Sequence, residues 1–127
     1  MTDYRTDLSR VRGLGAAKFG TEHFWMQRVT SLAVLLLFPF LFYSVIYLAG
    51  RPLAEVKEYF SSPLVATMAV LLVALLAHHM RLGMQVIIED YVHNSSRKLT
   101  FLMLNIFFST LVGAAGVIAI IKLSLGA

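Results

Sequence analysis

The sequence predicts an all-α integral membrane protein whose single domain crosses the bilayer three times. Three observations carry this. The 127-residue chain is 58% hydrophobic and only 14% charged, against roughly 25% charged in an ordinary globular chain. A soluble domain of this length buries too modest a share of its area to hide so many apolar side chains. Finally, three apolar stretches alternate with short polar ones, each long enough to cross roughly 30 Å of hydrocarbon at about 1.5 Å per residue.

The elements follow in order. Residues 1–28 form a mixed-charge segment in which Arg5, Arg10, Arg12, Lys18 and Arg28 are interrupted by Asp3, Asp7 and Glu22. That basic density is too dilute for a nucleic-acid stripe. The membrane-anchored region is residues 29–127. Its first span, 29–49, has no ionisable acid or base apart from tyrosine, and Pro39 sits mid-span, where a kink is tolerable. This stretch starts too late for a signal peptide and lacks a short apolar region with a cleavage site, so it is expected to stay in the mature protein. Residues 50–63, with Arg51, Pro52, Glu55, Lys57, Glu58 and Ser61-Ser62-Pro63, read as a short extramembrane loop. The second span, 64–88, closes on Glu89 and Asp90. The third, 99–121, contains Asn105 and is anchored by Lys122. Gly113, Ala115, Gly116 and Ala119 give it small residues at helical spacing, as close helix packing requires.

Orientation follows from Lys and Arg. Five lie in the N-terminal segment and two, Arg97 and Lys98, in the second loop; Arg51 and Lys57 lie in the first loop and Lys122 in the tail. The positive-inside rule places the N-terminus and second loop in the cytoplasm.

Span two carries the chemistry. After apolar filler it reads His78, His79, Met80, Arg81, Leu82, Gly83, Met84, Gln85, and ends on Glu89, Asp90 and Tyr91. Ionisable groups inside a membrane helix are costly and point to function. His79, Gly83, Val86 and Asp90, spaced by four, three and four, share one helical face. A glycine one turn beyond a histidine leaves room for a flat ligand, and neutral imidazole is a good axial ligand for haem iron. The absence of cysteine excludes thiolate metal sites, iron–sulfur ligation and disulfides within the chain. His79 and Asp90 are about 16 Å apart along the axis, which suits a buried redox group and an interfacial quinone site on one electron path. There a phenol donates a hydrogen bond to a carbonyl and a carboxylate relays protons. Blander readings stand beside these. An intramembrane histidine also serves as a helix–helix hydrogen-bonding residue, Tyr91 as an aromatic-belt anchor, Asp90 as the solvated end of a span, and His93 as a loop residue.

Residues 79–91, HMRLGMQVIIEDY, resemble the H-x-x-x-G-(M)-x-x-(V/I)-x-x-D-Y signature of the succinate dehydrogenase hydrophobic membrane anchor, the D subunit. The length, three spans, orientation and basic residue before span one also match, so the resemblance covers essentially the whole chain. The stretch GLGAAKFGTEHFWMQRVT is similar to alpha-class proteobacterial members. The resemblance implies a bacterial inner-membrane protein packed with a sister cytochrome b anchor subunit into a helical bundle. It would hold an iron–sulfur subunit and a flavoprotein subunit on the cytoplasmic face.

It further implies His79 as axial ligand of a haem b shared with the sister subunit, and Arg28 near the haem propionates. Tyr91 would hydrogen-bond ubiquinone with Asp90 beside it. His23 has no counterpart. Arg81 and Glu89 depart from the pattern by adding charge, and Arg81, two residues after the ligand, is expected near a haem edge or propionate. His78 is the alternative ligand, but its face is rotated by about 100° from that of Asp90. The succinate chemistry itself would lie in other subunits. Alternative functions are a fumarate reductase or other quinone-linked cytochrome b anchor, a non-redox packing or assembly protein, and a small transporter subunit. Against the last, no internal repeat is evident.

Overall fold

The computed structural model describes residues 6–8 and 20–126. Arg5, Arg10, Arg12 and Lys18, on which the orientation largely rests, lie outside the described residues. The fold consists of α1 (Gly20–Leu48), α2 (Leu53–Ser61), α3 (Pro63–Tyr91) and α4 (Ser95–Ser124). α1, α3 and α4 are each long and apolar enough to cross a membrane, so the chain is a multi-pass membrane protein.

Two differences from the sequence expectation have simple causes. α1 starts at Gly20 rather than near residue 29, and runs through the boundary placed between residues 28 and 29. Glu22, His23, Gln27 and Arg28 are too polar for hydrocarbon but are competent helix formers, so the helix outlasts the apolar span. Residues 50–63 are also not a plain loop, because they contain α2. Leu53, Val56, Tyr59 and Phe60 recur at helical spacing, giving a short amphipathic helix between the spans. Gly50, at φ +76°, turns the chain out of α1. Pro63 occupies the first position of α3, where its missing N–H leaves no bond unmade.

The end of the molecule near α2 is rich in aromatics. Tyr43 stacks on Tyr47, with ring centroids 5.8 Å apart, and Tyr47 meets Tyr59 at 5.4 Å. Arg51 lies over the Tyr47 ring at 4.0 Å and donates a 2.6 Å hydrogen bond to Glu55. That hydrogen bond is the main cause holding the guanidinium more firmly protonated than usual. The Ser44 and Tyr59 hydroxyls hydrogen-bond at 2.8 Å, and Lys57 Nζ donates to the Gly126 carbonyl at 2.9 Å, tying α2 to α1 and to the tail. Tyrosines and a basic residue in this arrangement suit the membrane–water boundary.

α3 is the centre of the fold. Its contact with α4 is the most extensive in the molecule and that with α1 the next, whereas α1 and α4 scarcely meet. The α3–α4 seam uses the small residues anticipated. A Cβ added at Gly113 would come within 2.9 Å of Ala77 Cβ, and one at Gly116 within 2.7 Å of Val73 Cγ1. Ala115 and Ala119 face outward instead. Asn105, buried in the seam, donates from Nδ2 to the Arg81 carbonyl at 2.9 Å and accepts from Ser109 Oγ at 3.2 Å. Arg81's carbonyl is also placed for its own helical bond, so Asn105→Leu is expected to cost only about 1 kcal/mol. Reversible unfolding in mixed micelles measures this; a loss of several kcal/mol would mean the Asn105 bond organises the seam rather than supplementing it.

No side chain among the described residues is fully buried, and large apolar side chains such as Leu36, Ile46, Phe107 and Leu111 project outward. Lipid or other helices must supply the missing contacts.

Candidate functional site

His23, Gln27 and Thr30 lie four and three residues apart, which places them on one face of α1. That face meets α3. Thr30, only 5% exposed, has its Oγ1 2.7 Å from the Met26 carbonyl, 3.1 Å from the Gln27 carbonyl and 3.1 Å from His79 Nδ1. A hydroxyl has one proton and two lone pairs. Donating that proton to the Met26 carbonyl, its shorter partner, leaves Oγ1 to accept from Nδ1–H. With the proton so assigned, the imidazole is the Nδ1–H tautomer, whose Nε2 lone pair is directed away from Thr30. No hydrogen bond occupies Nε2 among the described residues.

Gly83 sits one turn further along α3. A Cβ there would be 3.7 Å from Gln27 Nε2, an ordinary contact. The gap at Gly83 is therefore faced in part by the Gln27 side chain. Two buried polar atoms on this face of α1, His23 Nε2 and Gln27 Oε1, have no hydrogen-bond partner.

His78 and His79 diverge. His78 lines an open recess of about 260 Å³ with Glu22, His23, Met26 and Leu82, and also borders the groove between α3 and α4. Arg81 lies in that groove with Ser109 and Thr110, its Nε buried and unpartnered. Two residues of helix turn Arg81 about 200° from His79, toward α4 rather than α1. Arg28 is not brought to His79 either. It lies about 200° round α1 from Thr30, exposed, with its guanidinium over the Phe24 ring at 4.9 Å.

Eleven residues beyond His79, Asp90 returns to within about 20° of the same face. Both it and Tyr91 are exposed at the C-terminal end of α3, and Tyr91 is 77% accessible. The corner that carries them is fixed. Asn94 caps α4 by accepting from Arg97 N–H at 3.1 Å, and Lys98 Nζ donates to the Glu89 carbonyl at 2.8 Å. Glu89, whose role the sequence leaves open, accepts from Gln85 Nε2 at 2.8 Å along the same helix. His93 Nδ1 lies 3.1 Å from the Tyr91 carbonyl, in keeping with a loop residue.

Among the described residues no three His, Asp or Glu side chains gather as a metal site. The chain offers one oriented imidazole with a free Nε2 and no thiolate. That donor set fits one half of a haem site whose second axial ligand comes from another subunit, and does not fit a self-contained metal centre. The residues that sequence reasoning missed are Thr30 and Gln27. Spacing puts them on one face with His23, but nothing in the sequence says that this face meets α3 at His79.

The chain matches the succinate dehydrogenase/fumarate reductase transmembrane subunit family over residues 2–113. It is 31% identical over 124 residues to a succinate dehydrogenase hydrophobic membrane anchor subunit of Paracoccus denitrificans, covering 98% of this chain and 95% of that protein. Proteins of the same description from Rickettsia bellii and Rickettsia conorii are 26% and 28% identical, each covering 93% of this chain and 94% of the relative. No solved structure gives a significant match.

Proposed function

Since the chain belongs to the succinate dehydrogenase/fumarate reductase transmembrane subunit family, we propose that it anchors a succinate:ubiquinone oxidoreductase in the bacterial inner membrane, N-terminus inside, and helps conduct electrons to quinone. The observation that supports this best is His79, an intramembrane imidazole oriented by buried Thr30, with Asp90 on the same helical face and Tyr91 beside it. A sister cytochrome b anchor completes the bundle, and an iron–sulfur subunit and a flavoprotein subunit dock on the cytoplasmic face. Succinate is oxidised outside this chain.

In this reading His79 Nε2 would hold the iron of a haem b, which when bound would supply a one-electron store within the bilayer. Arg28 offers its guanidinium to the propionates, which it suits by bidentate pairing. It stands about 3 Å along α1 from the level of Thr30, with a long flexible side chain to reach round the helix. At the end of α3, Tyr91 donates its phenolic proton in a hydrogen bond to a ubiquinone carbonyl. Asp90 accepts a proton from water or passes one toward the reduced ring.

The non-redox reading has one observation in its favour: Thr30 to His79 is itself an interhelical hydrogen bond of the kind that holds packed membrane helices. One preparation separates the two. The complex, isolated in mild detergent, should show a b-type signal in its reduced-minus-oxidised spectrum and reduce quinone with succinate. Tyr91→Phe should lower quinone reduction about three- to tenfold, the worth of one hydrogen bond, while succinate oxidation with a soluble artificial acceptor is unchanged. A colourless complex would remove the haem role, and unaltered quinone kinetics in Tyr91→Phe would remove the quinone assignment.

A further inference from the structure

We infer that Thr30 is the positioning residue for His79, selecting its tautomer and presenting Nε2 as a ligand atom. The inference rests on the haem reading given under Proposed function and assigns a part of that site to α1. Thr30 is anchored more firmly than a surface hydroxyl. It is buried at 5% exposure, and Oγ1 lies 2.7 Å from the Met26 carbonyl one turn back on its own helix. A β-branched side chain in a helix has few χ1 choices, and bonding to the carbonyl four residues back selects among them. The hydroxyl proton is thereby engaged within α1, and the oxygen facing α3 at 3.1 Å from Nδ1 is an acceptor.

An imidazole beside a hydroxyl that could rotate freely would sample both tautomers. Beside one whose proton is engaged, it is held as Nδ1–H. That state leaves Nε2 with its lone pair available to a metal, which the other tautomer protonates. The hydrogen bond also fixes the ring plane and raises the basicity of the ligating nitrogen, the role outer-shell partners of metal-bound histidines commonly fill. A more basic ligand favours the ferric state, so Thr30 lowers the potential of the bound haem.

The test uses the intact complex carrying Thr30→Val, Thr30→Ser and Thr30→Ala, with haem-to-protein ratio and midpoint potential measured by redox titration. Valine keeps the shape and removes the oxygen. Thr30→Val should lower haem affinity about ten- to hundredfold and move the potential of any retained haem to a more positive value. Thr30→Ser should stay near wild type. Thr30→Ala, which cannot clash, should behave as valine does and decides the matter if the valine complex fails to assemble. If Val and Ala keep the wild-type haem ratio and potential, Thr30 does not position His79, though the haem reading stands. If they destabilise the complex but leave the potential unmoved, Thr30 is a packing residue and the inference is overturned. A wild-type complex without haem would remove the underlying reading, and this inference with it.

Discussion

Replacing His79 with alanine is expected to abolish the b-type haem signal of the intact complex, whereas His78→Ala should leave it in place. The two residues are adjacent, and composition or hydropathy cannot separate them. Geometry does. His79 Nδ1 is committed to Thr30, which leaves a single oriented donor atom, Nε2. His78 makes no hydrogen bond on either nitrogen among the described residues; it borders two open recesses, one beside α1 and one beside α4. If His79 holds the haem as proposed, removing its imidazole takes away this chain's ligand to the iron. The effect at His79 should therefore be near-complete loss of bound haem, not a partial shift. At His78 the expected change is a small one in stability. Reduced-minus-oxidised spectra of the two variants, normalised to the amount of this chain, measure both. Loss of signal in His78→Ala with retention in His79→Ala would transfer the ligand role and leave Thr30 as an ordinary helix-packing partner.

The spans were legible because hydropathy and length are properties of the sequence itself. The amphipathic face of α2 was equally present in Leu53, Val56, Tyr59 and Phe60, but Arg51, Pro52, Ser62 and Pro63 at its ends read as loop signals, and nine residues are too few for periodicity to outweigh them. The face shared by His79, Gly83 and Asp90 was legible from spacing alone, since it lies within one helix. What α1 contributes was not, because no local pattern says which of its residues meets α3 at the level of His79. Thr30 stands at the start of an apolar run and passes for part of it. The side of α3 that Arg81 occupies was hidden for the same reason. Closeness in sequence suggested closeness to the ligand, while two residues of helix turn it toward α4, where Ser109 and Thr110 line the groove. Only the packing of three helices reveals which side of α3 each residue occupies.

The second large effect is expected at the α3–α4 seam, where Gly113→Leu and Gly116→Leu should each destabilise the chain by about 1–3 kcal/mol or more and reduce its accumulation in the membrane. A Cβ at Gly113 would sit 2.9 Å from Ala77 Cβ, and one at Gly116 2.7 Å from Val73 Cγ1. Carbon atoms pack best at about 3.5–4.0 Å. Ala77 has no torsion with which to move its Cβ aside, and Val73 is β-branched and nearly locked in χ1 within a helix. Neither neighbour can yield by rotating, so the helices themselves must separate. Separation would stretch the Asn105 bond to the Arg81 carbonyl and the Lys98 bond to the Glu89 carbonyl, both of which cross between α3 and α4. The second of these fixes the corner bearing Asp90 and Tyr91, so the damage should reach quinone reduction as well as stability. Ala115→Leu and Ala119→Leu are the matched controls. They add the same kind of bulk on the same helix, but at positions facing away from α3, and should leave the seam intact. Unfolding of all four variants in mixed micelles measures the difference. Equal losses at Gly113 and Ala115 would show that close approach to α3 is not what the glycines provide, because added bulk would then act alike on both faces of α4.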